Sequence, residues 1–201
     1  MKLAVAIALA IVSSWSFALA ATVTTFTAQA DYEAASGGSS FSLDFDGLSG
    51  FQDGDFPGLV DFDTPAASNP DNVNFTGGAL TDAGSIISFN NVGSIRGVFA
   101  VEVSAFAFDI LDVDLGAPTL TILDANNNVL DTFSTPINGF VGVVSDMAIA
   151  SFTISGASPN ALAPDRIFLD NFQAQAVPVP SAAILFLGGA AMFRHWRHRP
   201  R

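Results

Sequence analysis

The stretch 101-VEVSAFAFDI-110 alternates strictly over its second half. In an extended chain Phe106, Phe108 and Ile110 fall on one side, and Ala105, Ala107 and Asp109 on the other. A helix would repeat its apolar residues every three to four positions, and that spacing is missing here. The stretch reads as a strand with one face of large apolar side chains for a core.

The same period recurs on both sides of it. In 41-FSLDFDGL-48, Phe41, Leu43 and Phe45 share one face, and Ser42, Asp44 and Asp46 the other. The segment 119-TLTILDANNNVLDTF-133 reads as a hairpin around Asp124 to Asn128, since Asp and Asn tolerate the left-handed backbone that such a loop needs. In 148-AIASFTIS-155, Phe152 and Ile154 face the core. Further strands are expected at 84-GSIISFNNV-92 and 97-GVFAVEV-103, and 166-RIFLDNFQAQA-176 makes the last one. Eight or more short strands with turn residues between them predict an all-β fold, a two-sheet antiparallel sandwich. A short helix is expected over 27–35. The Gly-, Pro- and Asp-rich segment 53–72 reads as a long surface loop. There is no fixed-period repeat.

The chain of 201 residues is long enough for one such domain and processing segments. Its 19 phenylalanines supply a sizeable core. All 19 acidic residues lie between residues 22 and 176, where the only basic residues are Arg96 and Arg166. A body so acidic repels phosphate backbones, which argues against nucleic acid as a partner. Divalent cations or a salty medium suit it better.

Between residues 21 and 176 there is no His, Cys, Lys or Trp. Ser-His-Asp, Cys-His and Ser-Lys catalysis are therefore excluded, as is a zinc site of the usual His and Cys type. The remaining catalytic route is a pair of carboxylates of the glycosidase kind. Sugar-handling enzymes of that kind hold their substrates with Trp and Tyr, and the body has Tyr32 alone. The balance is against an enzyme. Calcium is a better use for the carboxylates, because it takes six to eight oxygen ligands and needs no His or Cys. Four Asp-x-Asp pairs occur, at 44/46, 53/55, 61/63 and 112/114. Each would offer two carboxylates on one face of a strand, or would simply form a solvated face or turn. In 168-FLDNF-172 strict alternation would bury Asp170 between Phe168 and Phe172. Either a bulge turns Asp170 outward, or a cation, backbone amides or Arg166 must satisfy it.

The two ends read differently from the body. Residues 1–20, MKLAVAIALAIVSSWSFALA, combine one lysine, an apolar run and the triplet Ala18-Leu19-Ala20, the layout of a signal peptide cut after Ala20 by signal peptidase. At the other end, 177-VPVPSAAILFLGGAAMFRHWRHRPR-201 has two prolines, an apolar segment over 181–193 and a basic end. Thirteen residues make roughly 20 Å of helix, and counting from Val177 gives seventeen, the lower limit for a membrane span. Arg194, Arg197, Arg199 and Arg201 would then hold the cytoplasmic side. The domain plan is a signal helix at 1–20, a body at 21–176 and a tail with a transmembrane helix at 177–201.

That tail resembles the C-terminal sorting signal of the PEP-CTERM class in its VPxP variant. Val177, Pro178 and Pro180 match the motif, and Val179 stands where the namesake motif has Glu. The resemblance implies export by a Gram-negative bacterium, a transient stay in the inner membrane, and cleavage near the prolines by an exosortase transpeptidase. The body would then reach the cell surface or the extracellular matrix. The body is also similar to the jelly-roll domains common in that class, in the stretches VSAFAFDI, GFVGVVSDMAIASFTISG and IFLDNFQ. Carbohydrate-binding jelly rolls often hold a structural calcium, and by that resemblance Asp44, Asp46 and Asp170 would be its ligands. Three functions compete: a non-enzymatic surface or matrix protein, a carbohydrate-binding module engaging exopolysaccharide, and a carboxylate hydrolase.

Overall fold

The computed structural model describes residues 21–65, 72–76, 78–81, 93–113, 116–156 and 167–177. In chain order the elements are β1 (Val23–Phe26), α1 (Gln29–Ser36), β2 (Phe41–Leu43), β3 (Gly50–Asp53), β4 (Asp55–Phe56), β5 (Val60–Asp63), β6 (Asn72–Thr76), β7 (Ala79–Thr81), β8 (Ser94–Val113), β9 (Thr119–Leu123), β10 (Val129–Ser134), β11 (Gly139–Ser155) and β12 (Ile167–Ala176). Among the described residues every strand pairing is antiparallel.

Two long strands organise the molecule. Residues 94–99 of β8 lie between β5 and the second half of β11, beyond which come β9 and β10. Residues 105–110 of β8 lie between the first half of β11 and β12, beyond which β2 and β7 pair with β12. β6 and β3 extend that side, and β1 lies on the far edge of β11. The β8–β11 ladder shifts register between Val144 and Ile149, where residues without ladder partners bend the strand. The expected all-β antiparallel fold holds and is sandwich-like. By hydrogen bonding the twelve strands among the described residues form one continuous sheet that doubles back on itself. The segments GVFAVEV and VEVSAFAFDI, expected as separate strands, are one.

The interior between the two halves is a cluster of phenylalanine rings. Phe106 on one half stacks on Phe152 of the other with centroids 4.8 Å apart, and Phe62 meets Phe172 edge-on at 5.2 Å. Phe106, Phe108 and Ile110 are fully buried in this core, as their alternation predicts. Ala105 and Ala107 face the other way and are covered by α1 through Tyr32, with Phe26, Phe140 and Val144 around it. The Tyr32 ring would lie 2.7 Å from a Cβ on Gly142, so the helix sits this close only because residue 142 has no side chain. The helix ends in a left-handed Gly37 whose N–H donates to the Glu33 carbonyl.

The hairpin of β9 and β10 forms as its sequence predicts. Asp124 Oδ1 accepts the N–H groups of Asn126 and Asn128, both at 2.8 Å, and Asn127 takes the left-handed conformation. The segment 53–72 does not form one long loop. Its described part folds into β4 and β5, joined by Pro57-Gly58 in a tight turn with Leu59 N–H donating to the Phe56 carbonyl. β5 then pairs with β8 and buries Val60 and Phe62. Asp63, also on β5, accepts Arg96 Nε at 2.8 Å.

The signal peptide with Ala18 and Ala20, the strand expected at 84–92, Arg166, Pro178, Pro180, the apolar segment 181–193 and the arginines 194, 197, 199 and 201 lie outside the described residues. Among the described residues no helix is long and apolar enough to cross a membrane.

Candidate functional site

A groove of about 550 Å³ crosses the outer face of the sheet, within the range of small-ligand sites. Its lining comes from four strands that are neighbours in the order β11-β8-β12-β2. Phe140 on β11 is the ladder partner of Asp109 on β8. Asp109 in turn faces Asp170 on β12, and Gln173 on β12 faces Ser42 on β2. Leu43 and Asp44 close the β2 side, while Gln29 of α1 and Ser39 of the following turn form the rim. Apart from Leu43, which packs against the core, the strand residues of the lining stand on the face opposite the phenylalanines, so the core fixes their backbone without sharing their surface.

The local shape depends on a bulge in β12. The ladder to β8 shifts between Asp170 and Gln173, and Asn171 adopts a left-handed φ of 50°. Leu169 and Phe172 therefore both reach the core, which strict alternation forbids. Phe168 and Asp170 are left half-buried. Asp170 is thus not enclosed between two buried phenylalanines, and its Oδ1 accepts the N–H of Asn171 at 2.7 Å. The bulge also turns Asn171 into the groove, where its Nδ2 donates to Asp109 Oδ2 at 2.8 Å. A non-glycine residue held left-handed costs on the order of 1 kcal/mol, least for Asn.

The calcium set inferred from resemblance is not assembled. Asp44 lines the groove, but its Oδ1 accepts the N–H of Asp46 at 3.0 Å. Asp46 points elsewhere, its Oδ1 lying 2.6 Å from where a Cβ on Gly78 would stand. Asp170 is committed to Asn171. Among the described residues no three His, Cys, Asp or Glu side chains are grouped to hold a metal ion. The Asp-x-Asp spacing has local uses instead. At 44/46 and 53/55 the first carboxylate accepts the N–H two residues on, and at 61/63 the second pairs with Arg96.

Asp109, Phe140, Asn171 and Gln173 are functional candidates that sequence reasoning did not single out. Asp109 had a signal, as the polar residue ending the Ala105-Ala107 face. The others come together only through strand order.

No protein-family model matches the chain, and comparison with curated proteins finds no match. Solved structures of carbohydrate-binding modules align weakly with it. A mutant from a study of ligand recognition by family 29 carbohydrate-binding modules is 14% identical, with 70% of this chain and 100% of that chain covered at a TM-score of 0.43. A second family 29 mutant is 14% identical over 68% of this chain and 92% of its own, also at 0.43. A third mutant, complexed with cellulohexaose, is 14% identical over 59% and 93%, at 0.37. At these scores the likeness carries no weight for ligand or residue roles, and the groove must be read on its own chemistry.

Proposed function

We propose that this chain is an exported, non-enzymatic cell-surface or matrix protein with a jelly-roll-type body, whose groove binds exopolysaccharide. The observation that carries this reading is the lining of the groove. Asp109 on β8, Asn171 and Gln173 on β12, Asp44 just past β2 and Gln29 on α1 bring flat amide and carboxylate groups to the groove beside the ring of Phe140. Sugars offer vicinal hydroxyls that both donate and accept, and Asn, Gln and Asp side chains match them in pairs. An aromatic ring supplies apolar contact for the C–H face of a sugar. A groove open along a sheet admits an internal stretch of a polymer.

Sorting through the PEP-CTERM-like tail belongs to the same proposal and rests on the sequence resemblance. β12 ends at Ala176, and Val177, the first residue of the Pro motif, donates its N–H to the Glu102 carbonyl at 3.1 Å. Intact mass of the cell-surface protein tests it: a chain retaining residues 181–201 would overturn processing.

A carboxylate hydrolase is the second reading, favoured by Asp44 and Asp109 lining one groove. It needs one carboxyl to keep a proton near neutral pH. Asp109 Oδ2 is already occupied as acceptor of the Asn171 amide at 2.8 Å. Retention of the protein on immobilised polysaccharides, with reducing-end release followed in the same samples, separates the readings. Binding without release is expected. Release that disappears in D44N and D109N would establish the hydrolase, and failure to bind any polysaccharide would overturn the glycan reading.

A further inference from the structure

We infer that the groove selects uncharged polysaccharide chains and rejects uronate-bearing ones; this presupposes that the groove binds glycan. Asp44 and Asp109 place two carboxylates in the lining, and none of the nine lining residues is a cation. Neither carboxylate is neutralised by its immediate partners. Asp44 Oδ1 accepts a backbone N–H, and Asp109 Oδ2 accepts the uncharged Asn171 amide.

Arg96 is the basic residue among those described, and it cannot serve the groove. It belongs to the half of β8 that pairs with β5, where it is engaged by Asp63. Ile95 beside it is buried in the core, so Arg96 points outward from the layer opposite the groove. Arg96 lies outside one layer of the folded-over sheet and the groove outside the other, the two layers packing about 10 Å apart. At physiological ionic strength charge is felt over about 8 Å, so Arg96 leaves the field in the groove unrelieved.

A uronate differs from the matching hexose by a carboxylate in place of a hydroxymethyl group. Bound in the groove, it would bring a like charge within a few Å of Asp44 or Asp109, in a concave site that excludes part of the screening solvent. A neutral sugar meets the same carboxylates as hydrogen-bond acceptors for its hydroxyls. One set of residues therefore attracts one class of polymer and repels the other.

The test uses the full-length protein and matched polymer pairs: β-1,4-polymannuronate against the mannan made by reducing its carboxyl groups, and polygalacturonate against its reduced galactan. A chelator is present, so that no calcium bridges carboxylates. For any pair that binds, the reduced polymer is expected to bind at least tenfold tighter, about 1.4 kcal/mol. That ratio should fall in the D44N/D109N double variant and at high salt; the ratio is the readout, whatever happens to the affinities themselves. Polyuronate binding as well as its reduced form overturns the selectivity while leaving the glycan reading intact. A ratio unchanged in the double variant overturns the assignment to these two carboxylates. No binding of any polymer, in this panel and in a wider set of neutral glycans, overturns both.

Discussion

Phe152 on β11 lies directly across the ladder from Gly97 on β8, and its ring covers the space that a side chain at 97 would take. The ring also stacks on Phe106 and touches Phe62, Phe99, Phe108 and Phe172, so it has nowhere to move. Gly97→Ala would set a Cβ 2.7 Å from the Phe152 Cζ. We expect a loss of about 1–3 kcal/mol from overpacking, read as a lower urea midpoint. Phe152→Ala should cost about 3–5 kcal/mol by opening a cavity at the centre of the cluster. If Gly97→Ala melts like the native protein, the ring is not fixed where it lies.

Tyr32 gives a pH dependence on the alkaline side. Its Oη is buried without a hydrogen bond of ordinary geometry. Burial pushes the phenol up to about 12 from 10.0, partly offset by the Ser36 hydroxyl and reinforced by Glu33. Because the folded value is the higher one, the associated stability is complete below pH 10 and lost as pH rises toward 12. Tyr32→Phe should remove that component of the alkaline loss. Melting followed from pH 8 to 12 in both proteins checks it, and parallel curves would contradict it.

Asp124 gives the opposite slope. Hydrogen bonds from Asn128, side chain first and then backbone, hold its carboxyl below the usual range, with Asn126 adding to them. Stability from a lowered carboxylate is present above the unfolded value and disappears as pH falls through the folded one. Asp124→Ala should therefore be destabilised near neutrality and approach the native protein in acid. Chemical denaturation at pH 7 and pH 3 shows whether the gap closes.

Chelation tests the carboxylates near the groove. Asp44 and Asp170 each accept a backbone N–H, and Asp46 is turned toward Gly78. We expect EDTA to leave the melting midpoint unchanged. A midpoint that rises with added calcium would mean that the three carboxylates regroup around an ion, since a bound ion stabilises the folded state by mass action.

Much of the fold is legible residue by residue. The alternation in 101–110 assigns Phe106, Phe108 and Ile110 to the core and Ala105 and Ala107 to the other face, and both assignments hold. Asp124 and Asn127 announce their hairpin because their side chains make the turn locally. β5 is harder to see. Gly54, Pro57 and Gly58 dominate its neighbourhood, and the strand owes its existence to pairing with β8 rather than to local preference. The bulge at Asn171 is one of the alternatives that 168-FLDNF-172 leaves open, and its pairing with β8 decides for it. The groove gathers residues 42–44, 109, 140, 171 and 173, which only the order of strands in the sheet makes neighbours.

The position of β12 has a mechanical consequence. Asn171 and Gln173 face the groove, and the same strand leads to Val177, whose N–H donates to the Glu102 carbonyl. On the function proposed above, a polymer held in the groove would pass part of its tension to β12. That strand is flanked by β8 on one side and by β2 and β7 on the other, so a pull along its length loads those hydrogen bonds in shear. The edge strands β1 and β10, which would peel apart one bond at a time, stand outside the line of force.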